Sequence, residues 1–175
     1  MPADTAWLDQ YVRIIEDYPE PGVTFRDITP LLGDAKAFTA TIDALADHFA
    51  GACIDAVIGM EARGFIVGAP VAYKLGAAFV PVRKAGKLPW AVAREEYTLE
   101  YGTAKLEIHR DAIRPGERVA IIDDVLATGG TAGATLRLVE ALAAHVVGLG
   151  FIIELPELGG RAKLAGRDAV SLLSY

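Results

Sequence analysis

With 175 residues, 53% of them hydrophobic and 23% charged, the chain has the composition of one globular domain able to bury a core, not of a disordered segment. A formal charge of −6 argues against a broad phosphate-tracking surface for nucleic acid, although it leaves room for a local basic pocket. The single cysteine, Cys53, excludes an intrachain disulfide, no cysteine–histidine cluster spells a zinc site, and no apolar run reaches the roughly 18 residues of a membrane-spanning helix. The opening "MPADTAWLDQ" lacks the basic and apolar regions of a signal peptide, so a cytoplasmic protein with one domain over residues 1–175 is expected.

From the N-terminus, "TAWLDQYVRIIEDYP" spaces Leu8, Tyr11, Val12 and Ile15 at helical intervals and predicts a helix, capped by Asp4 or Thr5 and ended by Pro19. "PEPGVTFRDITPLLGD" is rich in proline and glycine and predicts an irregular crossing segment. Asp34 then caps a second helix that stops near Gly51. "IDAVIGM" reads as a buried strand, "ARGFIVGAPVAYKLG" as a helix ending at Gly76, and "AAFVPVRK" as another strand. Residues 84 to 96, "KAGKLPWAVAREE", mix charges without a sustained period and predict a mobile loop. "YTLEYGTAKLEIH" alternates on both sides of Tyr101-Gly102, which suggests a β-hairpin. "RVAIIDDV" is a strand, "TAGATLRLVEALAAH" a helix and "VVGLGFIIEL" a long strand, and "AVSLLSY" follows as a last short strand after a helical piece.

Apolar strands alternating with helices imply an α/β fold, a parallel sheet flanked by helices on both faces. The N-terminal segment (1–33) and the loop with its hairpin (84–109) do not fit that alternation and are expected around the mouth. In open parallel sheets ligands bind beyond the carboxyl ends of the strands, which gathers residues 60–64, 83–87 and 123–131 around one cleft.

"VAIIDDVLATGGTA", residues 119 to 132, carries the most chemistry. Its "ATGGT" supplies consecutive backbone N–H groups at a helix start, with hydroxyls from Thr128 and Thr131, and its glycines let a ligand approach the backbone. It is neither a P-loop nor GxGxxG. Asp123 and Asp124 stand side by side at the end of an apolar strand, a costly arrangement unless each meets a donor or a cation. Phosphate below and vicinal hydroxyls above describe a ribose 5-phosphate.

This stretch resembles the phosphoribosyl-pyrophosphate signature of the type I phosphoribosyltransferases. "PGVTFRDITPLL", "GMEARGF", "RKAGKLP" and "YTLEYG" occur in the order and at the spacing of the adenine phosphoribosyltransferase family, from about residue 8 onward. The resemblance implies that Ala127, Thr128, Gly129, Gly130 and Thr131 bind the 5-phosphate and that Asp123 and Asp124 hold the ribose hydroxyls. It implies that Glu61, Ala62 and Arg63 form the pyrophosphate loop, with a non-proline cis peptide at Glu61-Ala62. Arg83, Lys84 and Lys87 would lie beside the same leaving group, Lys84 and Lys87 in direct contact and in part across a dimer interface, with residues 85 to 96 closing over the reacting centre. Trp90 and the "AVAR" after it depart from the family's forms.

Glu100, just before the hairpin turn, would act near N7 of the base as general acid/base or charge stabiliser, with Tyr101 packing on the loop or sugar. Thr24 would read adenine through its backbone, Arg26 would brace the ring and Val125 would pack its other face. Phe25 is read equally as core or as a base contact. The implied reaction joins adenine to phosphoribosyl pyrophosphate to give AMP and pyrophosphate, with Mg2+ bound mainly through the sugar donor and no metal cage from the protein. A homodimer is also implied. Two alternatives stand beside this one. A 6-oxopurine phosphoribosyltransferase usually has an aspartate where Ala127 stands, and a non-catalytic regulator that senses the sugar diphosphate would want a basic face or an added domain. His48, His109 and His145 have no partner pattern.

Overall fold

A computed structural model of the chain describes residues 4–98 and 103–175. After a 3-10 turn at Ala6–Tyr11, two short strands, β1 (Arg13–Ile15) and β2 (Phe25–Asp27), pair antiparallel. They lead to helices α1 (Thr29–Gly33) and α2 (Ala35–His48). Strand β3 (Ala56–Met60), helix α3 (Arg63–Leu75) and strand β4 (Ala78–Lys84) follow, then the hairpin β5 (Val92–Thr98) and β6 (Thr103–His109). The C-terminal half holds β7 (Arg118–Leu126), α4 (Gly130–Ala141), β8 (His145–Glu154), two 3-10 turns and β9 (Ala169–Ser174).

The main sheet has the order β5-β6-β4-β3-β7-β8-β9. Strands β4, β3, β7, β8 and β9 run parallel, and the hairpin adds its two strands antiparallel at the β4 edge. One core lies under α4, where Ile58, Met60, Ile121 and Phe151 meet Leu136, Leu138 and Val139. The other lies under α2 and α3, where Val57, Ala120, Ile122 and Ile152 meet Leu45, Phe49, Val67 and Val71. Alternate residues of β3 and of the 119–122 stretch of β7 thus enter opposite cores, which is why both stretches are apolar. Each fully buried Ile or Leu contributes about 1.5–3 kcal/mol, so the strand ends that hold the site rest on a stiff base.

Three expectations held at the level of single residues. Asp34 caps α2 by accepting the Ala37 N–H at 2.8 Å. Gly76 ends α3 in the left-handed region. The Glu61–Ala62 peptide is cis. Two others need correction. The N-terminal segment is not a long helix: only Ala6–Tyr11 is helical, and Arg13–Ile15 is a strand. Ile14 and Ile15 are β-branched and poor at sustaining a short helix, and they pair with β2 instead. The loop is also shorter than residues 84 to 96, because β5 begins at Val92. Its charges belong to a half-exposed strand: Arg94 pairs with Glu107 and Glu96 with Lys105 across the hairpin.

Candidate active site

Strand β7 delivers Asp123 and Asp124 side by side to the carboxyl edge of the sheet. Asp124 is buried and takes an ion pair from Arg63 Nε. Asp123 has no cationic partner at salt-bridge distance among the described residues, and it accepts only the Asp124 N–H, at 2.9 Å. Burial drives the Asp123 carboxyl well above the ordinary carboxylate range and the Asp124 charge adds to this, while the Asp124 N–H and Arg63 offset only part. The two carboxylates are therefore inequivalent: one is paired with a cation, and the other has none at salt-bridge distance among the described residues.

Beyond them the chain turns at Gly129, whose φ of 72° suits glycine, and α4 starts at Gly130 with no side chain capping it. Its first N–H groups remain open at the positive end of the helix. The turn is buttressed from behind. A Cβ on Gly129 would lie 2.4 Å from the Gly160 carbonyl oxygen, and one on Gly160 would lie 2.2 Å from the Ala127 carbonyl oxygen. Only glycine at both places lets these two backbones touch.

Arg63 opens α3 directly after the cis peptide. Burial lowers its pKa, but the Asp124 carboxylate, with Asp123 and Asp27 behind it, more than restores the charged form. Its guanidinium also lies 5.7 Å from the centroid of the Phe25 ring, so one side chain links the pyrophosphate loop, the acidic pair and β2. Gly64 permits the approach: a Cβ there would sit 2.7 Å from Asp123 Oδ1.

Glu61 accepts Arg83 Nε at 3.2 Å, Arg83 Nη2 at 3.3 Å and the Lys84 N–H at 3.0 Å. Burial raises its pKa, but these donors win and hold the carboxyl below its usual range. Arg83 also donates to the Lys87 carbonyl at 3.2 Å, which commits its guanidinium to shaping the turn. Beneath the turn the buried Glu107 accepts the Gly86 N–H at 2.9 Å and Arg94 Nε at 2.8 Å. Lys84 and Lys87 remain exposed, with no ion pair among the described residues.

At β2, Thr24 is exposed and Phe25 is half-buried, packed edge-on against Tyr18 at 5.3 Å and outside both buried cores. Arg26 places its guanidinium 4.5 Å from the Tyr175 ring centroid. Val125 packs partly buried against the α2/α3 core.

The phosphoribosyl transferase domain family matches residues 24–168. Adenine phosphoribosyltransferase of Desulfitobacterium hafniense is 53% identical over 167 residues, 95% of this chain and 96% of that protein. The crystal structure of adenine phosphoribosyltransferase from Thermoanaerobacter pseudethanolicus superimposes with a TM-score of 0.94 at 50% identity, covering 98% of this chain and 99% of the other. The Saccharomyces cerevisiae enzyme, complexed with D-2,5-dideoxy-2,5-imino-altritol 1,6-bisphosphate and adenine, gives 0.93 at 38% identity, covering 99% of this chain and all (100%) of that one. The chain belongs to the adenine phosphoribosyltransferase family.

Contacts join the residues singled out from the sequence into two groups. Arg63, Asp124 and Phe25 are in contact, and Glu61, Arg83 and the Lys84 backbone form a second group. Glu100 and Tyr101 lie outside the described residues. Sequence reasoning missed Gly160, Glu107, Tyr97 and Tyr175. The pair Gly159–Gly160 and the buried glutamate in "KLEIH" were the available signals, and each needed a three-dimensional partner to acquire meaning.

Proposed function

We propose that the chain works in purine salvage, transferring the 5-phosphoribosyl group of phosphoribosyl pyrophosphate to N9 of adenine to give AMP and pyrophosphate, with the residues above in the following roles. One observation carries the assignment of the sugar site. Asp123 has only the Asp124 N–H as donor and no cation beside it among the described residues, and the uncapped start of α4 opens four residues after Leu126, the last residue of β7. A sugar diol can supply the missing donors while its 5-phosphate takes the open N–H groups of residues 127–131.

Arg63, Lys84 and Lys87 supply positive charge for the departing diphosphate, with Ala62 in the same loop. Glu61 and Arg83 brace one another and shape the turn that presents the lysines. Thr24 reads the base through its backbone, with Phe25, Arg26 and Val125 around the ring. As C1′ gains oxocarbenium character, the protein contributes orientation and balanced charge more than covalent chemistry. Glu100 manages the purine proton.

The donor set fits a magnesium ion carried on the diphosphate, because an oxygen-rich ligand and water can complete its shell and Asp123 has acceptor capacity to spare. Such an ion would neutralise leaving-group charge. We also take the chain to act as a homodimer in the cytoplasm. Ile66 and Tyr73, seven residues apart on α3, are 47% and 89% exposed and give an apolar stripe for a second copy. No helix among the described residues is long and apolar enough to cross a membrane.

The test is nucleotide formation from phosphoribosyl pyrophosphate and magnesium with adenine, hypoxanthine or guanine in turn. AMP from adenine alone is expected, with kcat lowered about a hundredfold in Glu100→Ala. IMP or GMP would mean that residues 24–26 do not select adenine. Tight binding of the sugar donor with no product from any base would point to the regulator.

A further inference from the structure

The β1–β2 sheet has only three residue pairs, and a two-stranded ribbon of that size does not hold its own position. Something on the body of the protein must set its height over the base site. The contact that orients Arg26 of this ribbon comes from the opposite end of the described chain. Tyr175 follows β9, the edge strand of the main sheet, and its N–H donates to the Glu154 carbonyl at 3.1 Å. The residue is thereby held in register with the sheet.

From this post the side chain engages two N-terminal pieces at once. Its ring carries the Arg26 guanidinium at 4.5 Å, and its hydroxyl donates to Asp9 Oδ1 at 2.5 Å. A parallel tie runs from Thr5 Oγ1 to the Leu172 carbonyl at 3.0 Å. Arg26 Nε is buried without a hydrogen-bond partner among the described residues. The aromatic face, not a carboxylate, thus fixes this guanidinium. Burial and the neighbouring Asp9 push the Tyr175 hydroxyl pKa up, so it stays a donor across the neutral range.

We infer that Tyr175 is a positioning residue for adenine: its ring fixes Arg26 and its hydroxyl fixes Asp9, and together they set the distance between residues 24–26 and the base. The inference rests on the reading of residues 24–26 as the base site. It predicts an effect confined to one substrate, because Tyr175 touches neither the acidic pair nor the α4 start.

The experiment is steady-state kinetics on wild type, Tyr175→Leu and Tyr175→Phe, with adenine and phosphoribosyl pyrophosphate varied separately. Tyr175→Leu, which keeps apolar volume but removes the aromatic face, is expected to raise the KM for adenine about tenfold and to leave that for the sugar donor within about twofold. Tyr175→Phe keeps the ring and is expected to raise the adenine KM only about threefold. An unchanged adenine KM in Tyr175→Leu, or an equal rise in both KM values, overturns the inference, since a general loss of packing would move both. Should the leucine variant not fold, Asp9→Ala removes the acceptor of the Tyr175 hydroxyl, and an unchanged adenine KM both there and in Tyr175→Phe overturns it equally. Absence of AMP formation by wild type would instead remove the parent reading, so the two failures are distinct.

Discussion

Tyr97 of β5 places its hydroxyl 3.1 Å from Oγ1 of Thr131, in the first turn of α4. The ring also covers Gly130, where a Cβ would lie 3.2 Å from it, and Glu95 of the same strand pairs with Arg137 of α4 at 2.6 Å. The hairpin that leads to Glu100 is therefore docked on the helix whose start is the proposed 5-phosphate cradle. A hydroxyl held by Tyr97 would meet a phosphate bound there with its rotor already oriented.

Tyr97→Phe keeps the ring contact and removes only that hydrogen bond. Its KM for phosphoribosyl pyrophosphate is expected to rise about three- to tenfold, in line with one hydrogen bond, with the adenine KM unchanged. Competitive inhibition by ribose 5-phosphate should weaken by the same factor. An unchanged inhibition constant would show that Thr131 needs no partner.

Why was the cradle legible in the sequence and its supports not? Asp123, Asp124 and the residues 127–131 form one contiguous stretch, and their chemistry follows from strand end, turn and helix start. The alternation of apolar strands and helices likewise gave the parallel core, because burial on both faces leaves a local trace in β3 and β7. Tyr97–Thr131 and Tyr175–Arg26 join residues far apart in the chain, 34 positions in the first case. No local period announces such pairs. The N-terminal helix failed for a related reason: Leu8, Tyr11 and Val12 have helical spacing, but pairing between β1 and β2 overrides it beyond Tyr11.

Gly160 supports the cradle sterically, and the adjacent Gly159 separates that effect from backbone strain. A Cβ on Gly160 would meet the Ala127 carbonyl oxygen at 2.2 Å, so Gly160→Ala must push the 5-phosphate turn out of place. Gly159 has open space around it but a φ of 65°. Gly160→Ala is expected to raise the KM for phosphoribosyl pyrophosphate at least about tenfold, since small misplacements of a binding loop are costly. Gly159→Ala should cost about 1 kcal/mol of stability with nearly normal kinetics. Thermal melts and KM values on both variants check the contrast, and equal kinetic defects would refute it.

Asp123 is a place where binding and stability oppose each other. Its folded carboxyl titrates well above the ordinary value of 3.8, through burial first and the Asp124 charge second. The folded protein therefore holds a proton that the unfolded chain has already released. Stability falls as pH rises from 3.8 toward the folded pKa, and the full cost is present above it. Asp123→Asn removes the charge and keeps an acceptor for the Asp124 N–H. The variant is expected to melt about 3 °C higher than wild type at pH 8, for a gain of roughly 1 kcal/mol. The difference should shrink as pH is lowered to 5. Its kcat/KM for phosphoribosyl pyrophosphate should nevertheless drop about a hundredfold, because a sugar hydroxyl loses its charged acceptor. A melting difference that is constant from pH 5 to 8 would mean that the Asp123 carboxyl does not change its charge over that range in the free protein. A more stable variant with unimpaired kinetics would mean that the sugar diol is held elsewhere.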